Sequence, residues 1–338
     1  MKKYFKLLIA FLGIISIWGI YSFVGSSPVE TNFQNIDLIK LQKNLKSHVQ
    51  YLTNLRPSRT STSVAALDKS AEYIFNFFLG LGLKPEYQIY DVNSGNEIKK
   101  YRNVKVLFGD TKKPRVVIGA HYDVCRREIA DPAALVPGAD DNASGVAGLM
   151  ELARLLKEEK SIIEDYSVEF VAYSLEEPPY FRTPQMGSFV HASSLNQKKI
   201  SVKLMISLEM IGYFSNERGS QNYPLDFPMK KIYGDQANFI AVIGEPKDFF
   251  ILKKVQSLFQ AATALPVFKL SAPTKIQGID WSDHSNYWKF GYPAIMLTDT
   301  SFLRNKNYHQ VSDTADTLDY EKMAEVVRGM QSVIVNYH

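Results

Sequence analysis

The chain has 338 residues, 46% of them hydrophobic and 22% charged, with a formal net charge of +4. That composition belongs to a folded globular protein with room for a large core, and it excludes a disordered or fibrous chain. The basic residues are scattered and carry no recognition motif, so no nucleic acid is expected as a partner.

Lys2, Lys3 and Lys6 precede an uncharged, almost wholly apolar run from Leu7 to Val24. Its length reaches the lower limit for crossing a bilayer and exceeds the apolar core of a typical signal peptide. The preceding lysines place the N-terminus in the cytoplasm and the rest of the chain outside, membrane-anchored, or secreted or periplasmic if the segment is cleaved. Residues 1–27 read as a signal anchor with a transmembrane helix or as a signal peptide, and residues 28–338 as a single domain. Apolar steps of three and four residues then predict helices over 36–55 and 63–79. The second carries Leu67, Ala71, Ile74, Phe77 and Phe78 on one face and is ended by Gly80, Gly82 and Pro85. Strands are predicted at 87–92, 103–108 and 115–120. A helix follows with Val146, Leu149, Leu152, Leu155 and Leu156 on one face. Further strands are expected at 167–173, 202–208, 238–243 and 293–298, and helices at 187–196, 248–263 and 320–335. Residues 213–236 read as a long loop of the kind that shapes a site. This alternation predicts an α/β fold, a three-layer α/β/α sandwich with a mixed, largely parallel central sheet.

Ligands of open α/β sheets bind beyond the carboxyl ends of the strands, and acids and imidazoles collect there in this chain. His121 ends one apolar run, with Asp123 two residues on. An imidazole can bind metal through one nitrogen while its other nitrogen donates to a carboxylate. Asp140 and Asp141 open the third helix, where an acid can serve as an N-cap or bridge two cations. Glu176-Glu177 follow a strand: one carboxylate can ligate while its neighbour takes a proton from water, although a solvated acid pair is the plain alternative. Glu209 closes a buried-type strand, where acids are seldom left unpaired. His309 lies between the last strand and the last helix. Cys125, the sole cysteine, rules out an intramolecular disulfide. It reads as a buried bystander, because the carboxylates suffice for metal.

In chain order, His121-Tyr122-Asp123, Gly138-Ala139-Asp140-Asp141-Asn142-Ala143-Ser144-Gly145, Glu176-Glu177, Leu208-Glu209-Met210-Ile211-Gly212, Ser282-Asp283-His284 and Tyr308-His309 resemble the motifs of metallopeptidase family 28. These are co-catalytic di-zinc exopeptidases of the bacterial leucyl aminopeptidase type, and the resemblance covers about residues 100–335. It implies two zinc ions, one held by His121, Asp141 and Glu209, the other by Asp141, Glu177 and His309. It further implies Glu176 as general base, Tyr308 as a hydrogen-bond donor to the intermediate, Asp123 orienting His121, and Asp283 in a supporting place. His284 is not implied as a ligand, and the Asp141-Asn142 peptide is implied to be cis. The implied substrates are peptides with a free N-terminus. Two departures stand out: Glu209 replaces an aspartate, and the connection over 178–188 is longer than usual. Three alternatives stay open: a single-zinc glutaminyl cyclase, a carboxypeptidase with Arg182 facing the substrate carboxylate, and a metal-free binding ectodomain.

Overall fold

The computed structural model describes residues 36–338 apart from Asn96, 127–130, 132–133 and 159–162. The apolar segment Leu7–Val24, with its anchor or signal reading, lies outside the described residues. No helix among the described residues is long and apolar enough to cross a membrane.

Helix α1 (Leu38–Thr53) starts where the Asp37 carboxylate accepts the Lys40 N–H, and buries Leu41, Leu45, Val49 and Leu52 on one face. Helix α2 (Val64–Gly80) buries Leu67, Ala71, Ile74 and Phe78. Strands β1 (Glu86–Ser94) and β2 (Glu97–Phe108) form an antiparallel hairpin. The chain continues through β3 (Arg115–His121), α3 (Gly145–Glu158), β4 (Ser167–Tyr173), α4 (Gly187–Gln197) and β5 (Val202–Glu209). It ends with α5 (Asp226–Tyr233), β6 (Ile240–Gly244), α6 (Phe249–Gln260), β7 (Val267–Ser271), α7 (His284–Trp288), β8 (Ala294–Thr298) and α8 (Tyr320–Asn336).

The eight strands form one sheet in the order β1-β2-β4-β3-β5-β8-β6-β7. Strands β4, β3, β5 and β8 run parallel, so their carboxyl ends share one edge. The hairpin on one side and the β6-β7 pair on the other join antiparallel, which makes the sheet mixed. Successive side chains of a strand point to opposite faces. Val116, Ile118 and Ala120 of β3, with Val168, Phe170 and Ala172 of β4, enter the large core shared with α1, α3, α6 and α8. Val117, Val171, Tyr173 and Met205 face the opposite layer, where α4 and α7 pack. Burial on both faces explains why these strands read as unbroken apolar runs.

Four elements differ from the sequence expectation. Strand β2 starts six residues earlier than predicted, because its first half is an exposed hairpin arm held by polar pairs such as Lys100 Nζ to Asp91 Oδ1 at 2.8 Å. Strand β7 went unrecognised because Lys269 interrupts it; that lysine is buried, with Nζ 3.0 Å from Gln256 Oε1. The 213–236 stretch is not loop throughout, since it contains α5, and the one-turn α7 had no periodic signal.

Candidate active site

Three strands of the parallel set, β3, β4 and β5, deliver site residues at or just beyond their carboxyl ends. His121 is the last residue of β3, Glu209 the last of β5, and Glu176 and Glu177 follow β4. Asp141 comes from the turn ahead of α3, and His309 from the connection between β8 and α8. His121 Nε2 lies 3.4 Å from Asp141 Oδ1 and 3.4 Å from Glu209 Oε2. His309 Nε2 lies 3.2 Å from Asp141 Oδ2 and 3.4 Å from Glu177 Oε2. The two oxygens of Asp141 thus face two different imidazoles. Donor atoms of His121, Glu176 and Glu177 also fall within 4.8 Å of one another.

The backbone that carries these groups is held by the neighbouring motif residues. Asp123 Oδ1 and Oδ2 accept the N–H groups of Glu176 and Glu177, both at 3.1 Å, while Asp123 Oδ1 sits 3.5 Å from His121 Nδ1. In the turn over 139–144, Asn142 Oδ1, Ser144 Oγ and Asp140 Oδ1 accept the N–H groups of Met210, Ile211 and Gly212 in succession. This stitches the turn to the end of β5. Gly145 is required there: a Cβ would lie 2.4 Å from Asn142 Oδ1 and 2.5 Å from the Leu208 carbonyl. Gly138, at φ +56°, adopts the left-handed conformation that glycine tolerates best. The Asp141-Asn142 peptide is cis. Three non-glycine residues with left-handed backbone, Leu175 (φ 63°), Met210 (φ 51°) and His309 (φ 59°), adjoin or belong to the site. Each such residue costs about 1–3 kcal/mol, and such strain collects where surrounding contacts enforce a functional geometry.

The electrostatics are those of an over-acidic pocket. Burial pushes Glu176 well above the usual carboxylate range, and Glu177 and Glu209 add to it against the pull of His121. Burial, with Asp141 beside it, pushes Glu177 up to about 7. Burial raises Asp141 too, but His121 and His309 outweigh it and hold this carboxyl well below its usual range. Burial lowers the two imidazoles, yet Glu209 and Asp123 at His121, and Asp141 at His309, outweigh it and raise both. Among the described residues, His121 Nε2, Asp141 Oδ1, Glu177 Oε1 and His309 Nε2 are buried without a hydrogen-bond partner. Acids that repel one another, and ring nitrogens that face carboxylates without hydrogen-bonding to them, fit bound divalent cations. An imidazole-plus-carboxylate donor set suits zinc.

Glu176, Glu177, Phe181, Trp281, Tyr308 and Cys125 line the cleft over this cluster. An apolar cavity opens beside Glu209 and Tyr308, walled by Phe239, Phe268, Trp281, Met296 and Phe302. Tyr308 stacks on His309 with ring centroids 3.7 Å apart. Burial, with Asp141 and Glu177 close by, keeps its phenol protonated far above the usual range.

Other candidates from the sequence fall outside the ligand cluster. His284 Nε2 contacts the Ile279 carbonyl at 2.8 Å, and burial lowers its pKa to about 4. Asp283 is fully buried, and burial raises it to about 7. Arg182 pairs with Asp280 at 2.6 Å on the rim instead of lining the cleft. Sequence reasoning missed Ser282, whose hydroxyl donates to Glu209 Oε2 at 2.8 Å, and Asp313, which accepts the Asp140 and Asp141 N–H groups. It also missed Arg59, whose guanidinium binds the carbonyls of Leu52, Tyr122, Pro137 and Gly138. Ser282 stands inside the Ser282-Asp283-His284 motif and Asp313 four residues after His309, so both had a local signal; Arg59 has none.

Comparison with known proteins agrees with this geometry. The signature of Peptidase family M28 matches residues 103–334. Uncharacterized protein YfbL of Escherichia coli is 45% identical over 293 residues, 86% of this chain and 87% of that one. Leucine aminopeptidase 1 of Metarhizium robertsii is 26% identical over 231 residues, 67% of this chain but only 52% of that enzyme, so the match spans about half its length. Among solved structures, the LapA aminopeptidase of Legionella pneumophila superposes with a TM-score of 0.65 at 22% identity, over 91% of this chain and 76% of that one. The glutaminyl cyclase of Fimbriiglobus ruber reaches 0.64 at 20% identity, over 92% and 99%. The fold is shared by both activities and does not choose between them.

Proposed function

Because the chain belongs to peptidase family M28, a family of hydrolases, we propose that it is a di-zinc aminopeptidase that removes N-terminal residues from peptides. The observation that carries this reading is Asp141, whose two oxygens face His121 on one side and His309 on the other. His121, Asp141 and Glu209 would hold one zinc, and Asp141, Glu177 and His309 the second. Zinc bound there supplies a lowered water pKa and a polarised scissile carbonyl.

The remaining work belongs to side chains of this chain. Glu176 takes the proton of the attacking water on its carboxylate and returns it to the nitrogen of the leaving amine. Tyr308 holds its phenolic proton and donates a hydrogen bond to the oxygen on which negative charge develops. Asp123, fixed by two backbone N–H groups, sets the orientation of the His121 ring. The free amine of the substrate is drawn to the acidic cleft, and its first side chain enters the adjoining apolar cavity. That cavity supports a preference for bulky apolar N-terminal residues. The charge-free run Leu7–Val24 supports an N-terminal membrane anchor or a cleaved signal peptide, with the site outside the cytoplasm in either case.

The test is metal content of the full chain in detergent, measured together with release of amino acids from a panel of aminoacyl substrates. Two zincs per chain and chelator-sensitive release are expected, and Glu176→Gln should keep the metal while losing about 10²–10⁴-fold in kcat. One zinc with cyclisation of N-terminal glutamine would replace this reading by the cyclase, and absence of metal and activity by a binding ectodomain.

A further inference from the structure

The cluster contains a donor that the reading above leaves unused. Cys125 is 2% exposed and lines the cleft, and its sulfur, a ring nitrogen of His309 and a carboxylate oxygen of Glu177 lie within 4.8 Å of one another. Glu177 is itself 3% exposed, and among the described residues its Oε1 has no hydrogen-bond partner. The segment that carries Cys125 is fixed. Arg59 Nε donates to the Tyr122 carbonyl at 2.9 Å, and the Val124 N–H donates to the Arg59 carbonyl at 3.0 Å. The buried Arg59 side chain is anchored in turn on the carbonyls of Leu52, Pro137 and Gly138. The sulfur therefore reaches this position from backbone pinned to Arg59 just past the end of β3.

We propose that Cys125 is a metal ligand, its thiolate joining Glu177 and His309 at the second cation position. The inference rests on the metal centre proposed above and deepens it. The two positions become chemically unlike: one has imidazole and carboxylate donors only, the other has sulfur, nitrogen and oxygen. Thiolate is a soft donor, so the second position favours zinc over the harder manganese or magnesium more strongly than the first does. On binding, the thiol proton leaves to solvent and the sulfur donates its lone pair to the cation, with no oxidant or reductant involved.

The test uses cobalt(II) as a spectroscopic substitute on the full-length chain in detergent, with bound cobalt counted independently. Wild-type protein carrying two cobalt ions should show a near-ultraviolet sulfur-to-cobalt charge-transfer band. Because Cys125 is the only cysteine, no other residue can supply it. Cys125→Ser should lose the band and bind its second cobalt at least about tenfold more weakly, an effect no smaller than that of removing a ligand's outer partner. Should Cys125→Ser fail to fold, X-ray absorption of the zinc-loaded wild type gives the same answer, with a zinc–sulfur shell expected at ~2.3 Å. Two bound cobalt ions without the band, or zinc without a sulfur shell, would overturn the Cys125 assignment and leave the metal centre standing. Failure to bind cobalt or zinc at all would overturn both.

Discussion

Two groups of buried acids in this molecule behave in opposite ways. Glu151 on α3 accepts from Asn44 at 3.1 Å and Arg154 at 2.7 Å, and lies 3.3 Å from His48 Nε2. Glu169 on β4 lies 2.6 Å from Arg115 Nη1 and 3.6 Å from His191 Nε2. Burial raises both, but their partners outweigh it: Glu151 is lowered by His48 and Arg154, and Glu169 by His191 and Arg115, to about 2. Beyond the end of the same strand β4, Glu176 and Glu177 are equally buried and are shifted the other way, Glu177 up to about 7. Burial is common to all four; what differs is whether the protein supplies the compensating charge. Where it does, the acid is part of the scaffold. Where it does not, the acid holds its proton unless something bound supplies the missing charge.

The largest effect expected from this contrast is on stability. Glu169→Gln leaves Arg115 without its carboxylate and should cost about 3–5 kcal/mol, measured by urea unfolding, with turnover per folded molecule preserved. Unchanged stability would remove Glu169 from the scaffold class. Glu177→Gln should act in the opposite sense in metal-stripped protein above pH 7, raising stability on the order of 1 kcal/mol by removing a repelled charge. A loss there would mean that the acid is compensated internally after all.

The subtlest effect is on pH dependence. Without metal, the folded chain binds more protons than the unfolded chain at Glu176, Glu177, Glu209, His121 and His309. The contribution of these groups to stability therefore falls as pH rises; for Glu177 the window runs from 4.5 to about 7. At Glu169 the folded chain binds fewer protons, so that contribution disappears as pH falls from 4.5 through about 2. Melting temperatures across pH, with chelator and with zinc, should show zinc removing the upper limb and leaving the lower one. Persistence of both limbs in zinc would argue that the cations do not sit among these acids.

The central sheet was legible because β3, β4 and β5 are buried on both faces, so chemistry-bearing residues stood out at the ends of apolar runs. His121, Glu176, Glu177 and Glu209 were found that way, and Asp141 and His309 by motif; all six converge. Illegible were features that depend on pairing across long sequence separations. Lys269 hides β7 because its partner Gln256 lies on another element. Arg59 gives no hint of the four carbonyls it gathers. Cys125 read as a bystander because the carboxylates suffice for metal, and its closeness to Glu177 and His309, which are far along the chain, shows only in the fold.

The stitching of Asn142, Ser144 and Asp140 to three consecutive N–H groups after β5 has a consequence for how cations enter. It ties the turn that carries Asp141 to the chain that follows Glu209, so the relative placement of the two backbones is set when the chain folds. Loading then demands no ordering of the backbone and resembles filling a finished mould more than closing a clasp. In a small zinc-nucleated domain, removing the metal dissolves the fold. Here the empty mould should keep its shape, and cations should exchange at a rate set by access through the cleft.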